Sequence, residues 1–134
     1  MMKYFIGNWK MFGVPRSIKI LNRINSFRST DSNRNKYRIV ITPPYTLLET
    51  FAKKFRDKKI IIGSQNCYQK EKFSSNTAAI SPYMIRAIGA KYTLVGHSDN
   101  RAEGDTNTIL KDKVKFALQN NLKVVFCIGE NKLE

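Results

Sequence analysis

The chain has 134 residues, a length that suits one domain spanning residues 1–134. Hydrophobic residues make up 42% of it, too many for a disordered segment and enough for a packed core. The formal net charge of +14 attracts nucleic acid, acidic surfaces and phosphorylated metabolites alike. The sequence has neither an apolar run long enough to cross a bilayer nor a secretory leader, so we expect a cytoplasmic chain with no membrane partner.

Short apolar runs rich in β-branched and aromatic residues recur along the chain. Each run is nearly continuous rather than alternating, which predicts parallel strands that are buried on both faces. The five predicted strands are, in chain order, Tyr4–Asn8, Arg38–Thr42, Lys59–Gly63, Tyr92–Gly96 and Lys123–Gly129.

The segments between these runs carry four main helix patterns. Pro15 fits the first turn of one helix, Pro43 and Pro44 open the second, Ser81 caps the third, and Asp105 or Thr106 starts the fourth. Strands that alternate with helices predict right-handed crossovers and one parallel sheet, either open or part of a barrel. The residues that we expect to face the sheet are Ile18, Leu21, Ile24 and Phe27, then Leu47, Leu48, Phe51, Ala52 and Phe55, then Ile85 and Ile88, and finally Ile109, Leu110, Val114, Ala117 and Leu118.

The basic residues are concentrated in three places. No RNA-recognition motif and no aromatic platform accompanies them, so we expect a solvated surface rather than a nucleic-acid interface. The basic groups are Arg34, Lys36 and Arg38; Lys53, Lys54, Arg56, Lys58 and Lys59; and Lys111, Lys113 and Lys115, which we expect on the exposed side of the fourth helix.

Cys67 and Cys127 lie too far apart for a metal motif, and we expect buried, reduced thiols.

Polar residues follow the carboxyl ends of the predicted strands, where parallel α/β folds place their functional groups. Asn8 and Lys10 end the first run, although Lys10 taken by itself is better explained as an exposed loop lysine. His97, the one histidine, follows the fourth run. Ser98 and Asp99 can cap a short helix whose amides point back at the imidazole, which favours a neutral hydrogen-bond donor over imidazolium. A purely structural histidine is the alternative.

Several sequence blocks resemble one enzyme family. Phe5-Ile6-Gly7-Asn8-Trp9-Lys10-Met11 is similar to the opening strand and loop of triosephosphate isomerase. The resemblance continues in order and at near-family spacing, from Lys3 to about Glu130. The later blocks are Ile80-Ser81-Pro82-Tyr83-Met84-Ile85, Gly89-Ala90-Lys91-Tyr92, Val95-Gly96-His97-Ser98-Asp99-Asn100-Arg101 and Cys127-Ile128-Gly129-Glu130.

The resemblance implies a fold and a reaction. The fold would be a partial (β/α)8 barrel, roughly half a barrel with five parallel strands and four main helices. The reaction would interconvert dihydroxyacetone phosphate and glyceraldehyde 3-phosphate, without cofactor or metal. Lys10 would supply positive charge, Asn8 would position the substrate, and His97 would polarise the carbonyl as a neutral electrophile.

The chain also departs from the family pattern. It contains no tyrosine-glutamate-proline segment with the catalytic base, no second tryptophan from the lid and no glycine-rich phosphate loops. A general base is typically worth roughly 10²–10⁴-fold, so we expect this chain alone to be inactive or severely impaired. Glu103, Asp105, Glu130 and Glu134 are conceivable substitute bases, and Glu130 also suits a structural role at the barrel mouth.

Assembly is the second departure. The segment Cys67–Ile80 resembles the interdigitating dimer loop of the family and keeps its threonine as Thr77. The glycine-glutamate that usually follows is replaced by Ala78 and Ala79. The arginine that pairs with that glutamate in the family is replaced by Asn100. Half a barrel also leaves two bare strand edges and an uncovered apolar face. We therefore expect a homo-oligomer or a complex with a C-terminal half-barrel. The alternatives are a split isomerase, a non-catalytic module that binds phosphorylated ligands, and a basic nucleic-acid binder.

Overall fold

The computed structural model describes residues 1–56 and 58–129, in which five parallel strands form one sheet. The strands pair in chain order, so each neighbour in sequence is also a neighbour in space. The sheet is curled, as half of a barrel is, and the predicted fold class is confirmed. The strands are β1 (Lys3–Asn8), β2 (Tyr37–Thr42), β3 (Ile60–Ser64), β4 (Tyr92–Val95) and β5 (Lys123–Phe126).

Five α-helices lie between the strands in this described part, one more than the four main helices predicted. The additional helix is the short one expected after His97. A 3-10 turn at Pro15–Ser17 leads into the first helix, while Ser81 and Thr106 accept hydrogen bonds from the first turns of two others. The helices are α1 (Ile18–Thr30), α2 (Tyr45–Lys54), α3 (Pro82–Ala87), α4 (Ser98–Ala102) and α5 (Asn107–Gln119).

The core lies between the sheet and the helices. All the residues predicted to face the sheet in α2 and just after it are buried, and Leu21, Ile85, Leu110 and Ala117 join them. In β4 every residue is buried, as expected of a central parallel strand. Ser64 at the end of β3 donates a hydrogen bond of 2.8 Å from Oγ to Thr93 Oγ1, so the two buried hydroxyls satisfy each other inside the sheet.

The two outer strands are not buried, contrary to the prediction for all five runs. Phe5 in β1 and Phe126 in β5 keep 58% and 47% of their surfaces exposed. The physical reason is position, because β1 and β5 stand at the two edges of the described sheet and each has one neighbour. The fifth run is also shorter than predicted, since the strand ends at Phe126 and not at Gly129.

Phe27 and Leu118 were predicted to face the core and are instead 69% and 57% exposed. Phe27 lies beside Phe5, Ile24 and Tyr37 in an open apolar cavity of about 770 Å³ along the β1 edge. The uncovered edge therefore extends from β1 onto α1.

Leu118 lies on the flank of α5, because at about 100° per residue it is roughly a quarter turn from the buried stripe of that helix.

The buried face of α5 includes Lys113, which corrects another prediction. It was expected on the exposed side with Lys111 and Lys115, yet it is buried at 3% exposure. Lys113 Nζ lies 2.6 and 2.8 Å from the two carboxylate oxygens of Asp105 and donates a third hydrogen bond to Asn66 Oδ1 at 3.1 Å. The buried charge is thus fully paired, as a buried ammonium requires.

We predict that Lys113→Met destabilises the fold by about 3 kcal/mol, because removing one member of a buried pair leaves the other charge uncompensated. Urea unfolding at one fixed protein concentration measures the change. Lys111→Met removes the same charge from an exposed position of the same helix, and we expect an effect within about 0.5 kcal/mol. Equal losses for the two variants would show that the Asp105 and Asn66 contacts do not stabilise the chain.

Candidate active site at the carboxyl edge of the sheet

One cavity of about 480 Å³ opens at the carboxyl ends of the strands and brings together all three predicted site residues. Asn8 is the last residue of β1, Lys10 lies in the loop that follows, and His97 comes after β4. The parallel order of the sheet places these ends at one edge, although they are far apart in sequence. The lining residues are Asn8, Lys10, Met11, Phe12, Tyr45, Gln65, Asn66, His97, Asp99 and Asn100.

The loop after β1 holds Lys10 in an unusual backbone conformation. Lys10 has φ +52°, a left-handed value that is uncommon for a residue with a side chain. Asn8 Oδ1 accepts a hydrogen bond of 2.9 Å from the Lys10 amide, and Gln65 Nε2 donates one of 2.8 Å to the Lys10 carbonyl. Trp9 packs its ring edge-on against Phe51 at 5.7 Å on the core side. Lys10 is therefore kept at the cavity by contacts on both sides of its peptide unit.

His97 caps α4 with its own side chain. Its Nδ1 accepts a hydrogen bond of 3.1 Å from the Asp99 amide, and the ring is 22% exposed. The prediction that the helix amides point back at the imidazole is confirmed, with the difference that His97 itself is the cap, rather than Ser98 or Asp99. Because Nδ1 is used as an acceptor, the neutral ring carries its proton on Nε2, where it can donate.

The backbone before His97 is fixed by Arg101. Gly96 has φ +80°, a conformation that favours glycine, and a Cβ at this position would come within 2.9 Å of Arg101 Nη2 and displace the guanidinium. Arg101 Nε donates to the Gly96 carbonyl at 2.7 Å, and its Nη2 donates to the Cys127 carbonyl at 3.1 Å. This side chain therefore ties the end of β4 to the residue just after β5.

Asp99 is the carboxylate of the cavity, and sequence reasoning assigned it only a capping role. Its Oδ2 lies 3.5 Å from Lys10 Nζ and 3.4 Å from His97 Nδ1. Since His97 Nδ1 already accepts from the Asp99 amide, a neutral His97 has no proton to give this carboxylate. Lys10 is consequently the charged partner of Asp99, and both side chains are more than half exposed. Such a solvated pair is weak and can rearrange around an anionic ligand.

Gln65 is the residue that sequence reasoning missed. Besides its bond to Lys10, its Nε2 donates to the Thr42 carbonyl at 2.9 Å, so it joins the loops after β1 and β2. The usable signal was the same one that selected Asn8 and His97, a polar residue at the carboxyl end of a strand. The predicted third strand stopped at Gly63, and the observed one continues to Ser64, directly before Gln65.

The proposed substitute bases do not gather here. Neither Glu103 nor Asp105 lines the cavity, and the Asp105 carboxylate is held by Lys113. Glu130 and Glu134 fall outside the described residues. Asp99 is therefore the one carboxylate that the structure places among the residues lining this cavity.

The cysteines are separated as predicted but differ in burial. Cys67 is buried, and burial raises the pKa of its thiol to about 11. Cys127 is half-buried, so the prediction of two buried thiols is wrong for it, and burial raises the pKa of its thiol as well.

Within residues 1–56 and 58–129 there is no group of three or more histidine, cysteine, aspartate or glutamate side chains that could hold a metal ion. No helix in this part is both long and apolar enough to cross a membrane.

Comparison with known proteins identifies the family. The family model for triosephosphate isomerase matches residues 3–134, and the chain belongs to this family. It is 32% identical over 130 residues to the triosephosphate isomerase of Herpetosiphon aurantiacus, a match that covers 96% of this chain and 50% of the relative. The enzyme of Cytophaga hutchinsonii is 37% identical over 134 residues, covering 96% and 51%.

The fold gives the same result. The crystal structure of triosephosphate isomerase from Bartonella henselae superposes with a TM-score of 0.87 at 29% sequence identity. The match covers 96% of this chain and 52% of that one. The chain thus spans about half the length of the curated relatives it matches, and that half is the N-terminal one.

We predict that nitrogen NMR of the single histidine will show an unprotonated Nδ1 and a protonated Nε2 wherever the ring is neutral. The hydrogen bond from the Asp99 amide is the physical reason, because only a lone pair on Nδ1 can accept it. A 15N-labelled sample examined for long-range ring couplings gives the tautomer directly, and the urea-unfolded chain is the control. A proton found on Nδ1 in the folded chain would contradict this site geometry.

Proposed function

We propose that this chain provides the electrophilic half of a triosephosphate isomerase active site. The supporting observation is that Asn8, Lys10 and His97 line one cavity, with His97 held in the tautomer that can donate from Nε2. In this proposal the Nε2 proton polarises the carbonyl of dihydroxyacetone phosphate. The Lys10 ammonium stabilises the negative charge of the enediolate and attracts the phosphate.

Asn8 contributes mainly by geometry. Its Oδ1 is occupied by the Lys10 amide, which leaves its side-chain NH2 group to position a substrate oxygen. The reaction moves one proton between adjacent carbons of the substrate, so neither cofactor nor metal is needed.

The proton transfer also requires a base. Asp99, the one carboxylate among the described lining residues, lies against Lys10, and in this proposal the base is a carboxylate from outside those residues. We propose that it comes from the part of the barrel that follows strand five in the family, on this or another polypeptide. The chain alone is then an isomerase component with little or no turnover. A cytoplasmic location accords with this role.

The experiment is an assay of triose phosphate interconversion with and without the C-terminal half of the Cytophaga hutchinsonii relative, added as a separate polypeptide. We expect background turnover from the chain alone and at least 100-fold more with the added half, in keeping with the usual value of a general base. His97→Gln, purified identically, controls for isomerase of the expression host, and it should abolish the restored activity.

Activity of the chain alone that His97→Gln removes would instead show that a base lies within these 134 residues. Equal background in every sample would contradict the isomerase proposal. It would favour a non-catalytic module that binds phosphorylated ligands.

We also propose that the β1 and β5 edges mediate assembly, with a second copy or with a C-terminal half-barrel. Phe5, Phe27 and Tyr37 line the open cavity at the β1 edge, and Val124 and Phe126 line another of about 530 Å³ at the β5 edge. Exposed strand edges and apolar surface of this kind favour pairing with another chain.

For the purified chain we predict an oligomer by sedimentation at micromolar concentration, which Phe5→Glu shifts toward monomer by placing a charge on the apolar β1 edge. Phe73→Glu is the matched variant, because Phe73 is 76% exposed but lies in the loop that resembles the family dimer loop. Dissociation by Phe73→Glu alone would favour the family dimer instead. A monomeric parent chain would refute self-association.

A further inference from the structure

The amino-terminal end of the sheet carries a second polar cavity, opposite the candidate active site. It has a volume of about 210 Å³, and four of its six lining side chains are basic. They come from separate parts of the chain: Arg28 from the last turn of α1, Arg38 from β2, and Lys58 and Lys59 from the segment before β3. The fold thus joins two of the basic groups seen in the sequence. The lining residues are Arg28, Arg38, Lys58, Lys59, Asn35 and Ile61.

Arg28 is an unusual residue of this cavity. It is 2% exposed, and its guanidinium stacks on the ring of Tyr37 at 5.4 Å. Nη2 donates to the carbonyl of Arg34 at 2.6 Å and contacts that of Tyr37 at 3.4 Å. Nε and Nη1 are buried without a hydrogen-bond partner among the described residues. Buried donors are nearly always satisfied, because each unsatisfied one costs free energy.

Asp31 does not satisfy these donors. Its carboxylate accepts hydrogen bonds from the Asn33 amide and from the Tyr37 hydroxyl, and these bonds lower its pKa, with a smaller effect from the charge of Arg28. No ion pair joins Arg28 to a carboxylate within residues 1–56 and 58–129. Nε and Nη1 of Arg28 therefore have no partner among residues 1–56 and 58–129, and because they lie on different edges of the guanidinium each would contact an anionic oxygen separately.

We propose that this cavity, lined by Arg28, Arg38, Lys58 and Lys59, binds a phosphoryl group of a small phosphorylated metabolite. Four basic side chains around one concave site provide the charge, and Arg28, whose guanidinium has donors without a partner among the described residues, provides the directional contact. The cavity is smaller than the roughly 300–1,000 Å³ of pockets for drug-sized ligands, so it suits a phosphoryl group better than a whole nucleotide. Single-stranded nucleic acid is commonly bound with its bases stacked on aromatic side chains, and the described residues that line this cavity include none, which favours the metabolite.

The test titrates the full chain with inorganic phosphate by calorimetry at fixed ionic strength. Every sample carries Lys10→Met, which removes the candidate active site as a second phosphate site. We expect the additional pair Lys58→Gln and Lys59→Gln to weaken phosphate binding roughly tenfold or more, since two charge-assisted contacts are lost. The pair Lys53→Gln and Lys54→Gln is the control, because it removes the same charge from exposed positions outside the cavity, and we expect less than a twofold effect.

Both pairs of substitutions replace exposed side chains, and the urea-unfolding midpoint of each variant shows whether the fold is kept. Equal weakening by the two pairs would show diffuse electrostatic attraction and overturn the proposal, as would the absence of phosphate binding in the Lys10→Met parent. A single-stranded oligonucleotide is the second probe. The oligonucleotide could bind more tightly than phosphate, with an affinity that falls steeply with salt and is weakened equally by both pairs of substitutions. That result would overturn the metabolite site in favour of a general nucleic-acid surface.

Discussion

The side-chain amide of Gln65 holds together the carboxyl ends of three strands, and the geometry of the candidate active site depends on it. Gln65 follows β3 and donates both to Thr42, the last residue of β2, and to the carbonyl of Lys10 beyond β1. Without these bonds, the described hydrogen bonds of the Lys10 peptide unit would be reduced to the one that its amide donates to Asn8 at the end of β1. Parallel pairing brings the loops to one edge, and one amide fixes their relative positions there.

The arrangement of strands was predictable because each strand is a continuous apolar run with a clear end. Four of the five observed strands both begin and end within one residue of the predicted bounds, and the carboxyl edge follows from their parallel order. The location of Asn8, Lys10 and His97 follows from the same reasoning. The contact of Asp99 with Lys10 does not, because a strand pattern fixes the edge of the sheet on which a residue lies but not which side chains meet across it.

The burial of Lys113 could not be deduced from the helix pattern either. Lysines at three alternate positions of α5 cannot be told apart by residue type. The buried one is Lys113, because its ammonium bonds to Asp105 in the preceding loop and to Asn66 in the loop after β3. The exposure of Phe27 and Phe126 has the opposite origin, since these residues have the apolar character of a core while the described sheet has no strand beyond β1 or β5. In both cases the deciding partner lies outside the local sequence.

If the proposed function holds, the base that the described cavity lacks and the exposed edges have one structural cause. The cavity at the carboxyl edge is lined by residues that follow β1, β2, β3 and β4. Its polar groups are a lysine, a histidine whose Nδ1 accepts a hydrogen bond, a tyrosine, amides and one aspartate. A strand that joins β1 or β5 in parallel must bring its own carboxyl end to this same edge, because parallel neighbours run in one direction. The loop after such a strand would therefore face Lys10 and His97. Under the proposed function, one added strand could therefore both cover the apolar edge and supply the base.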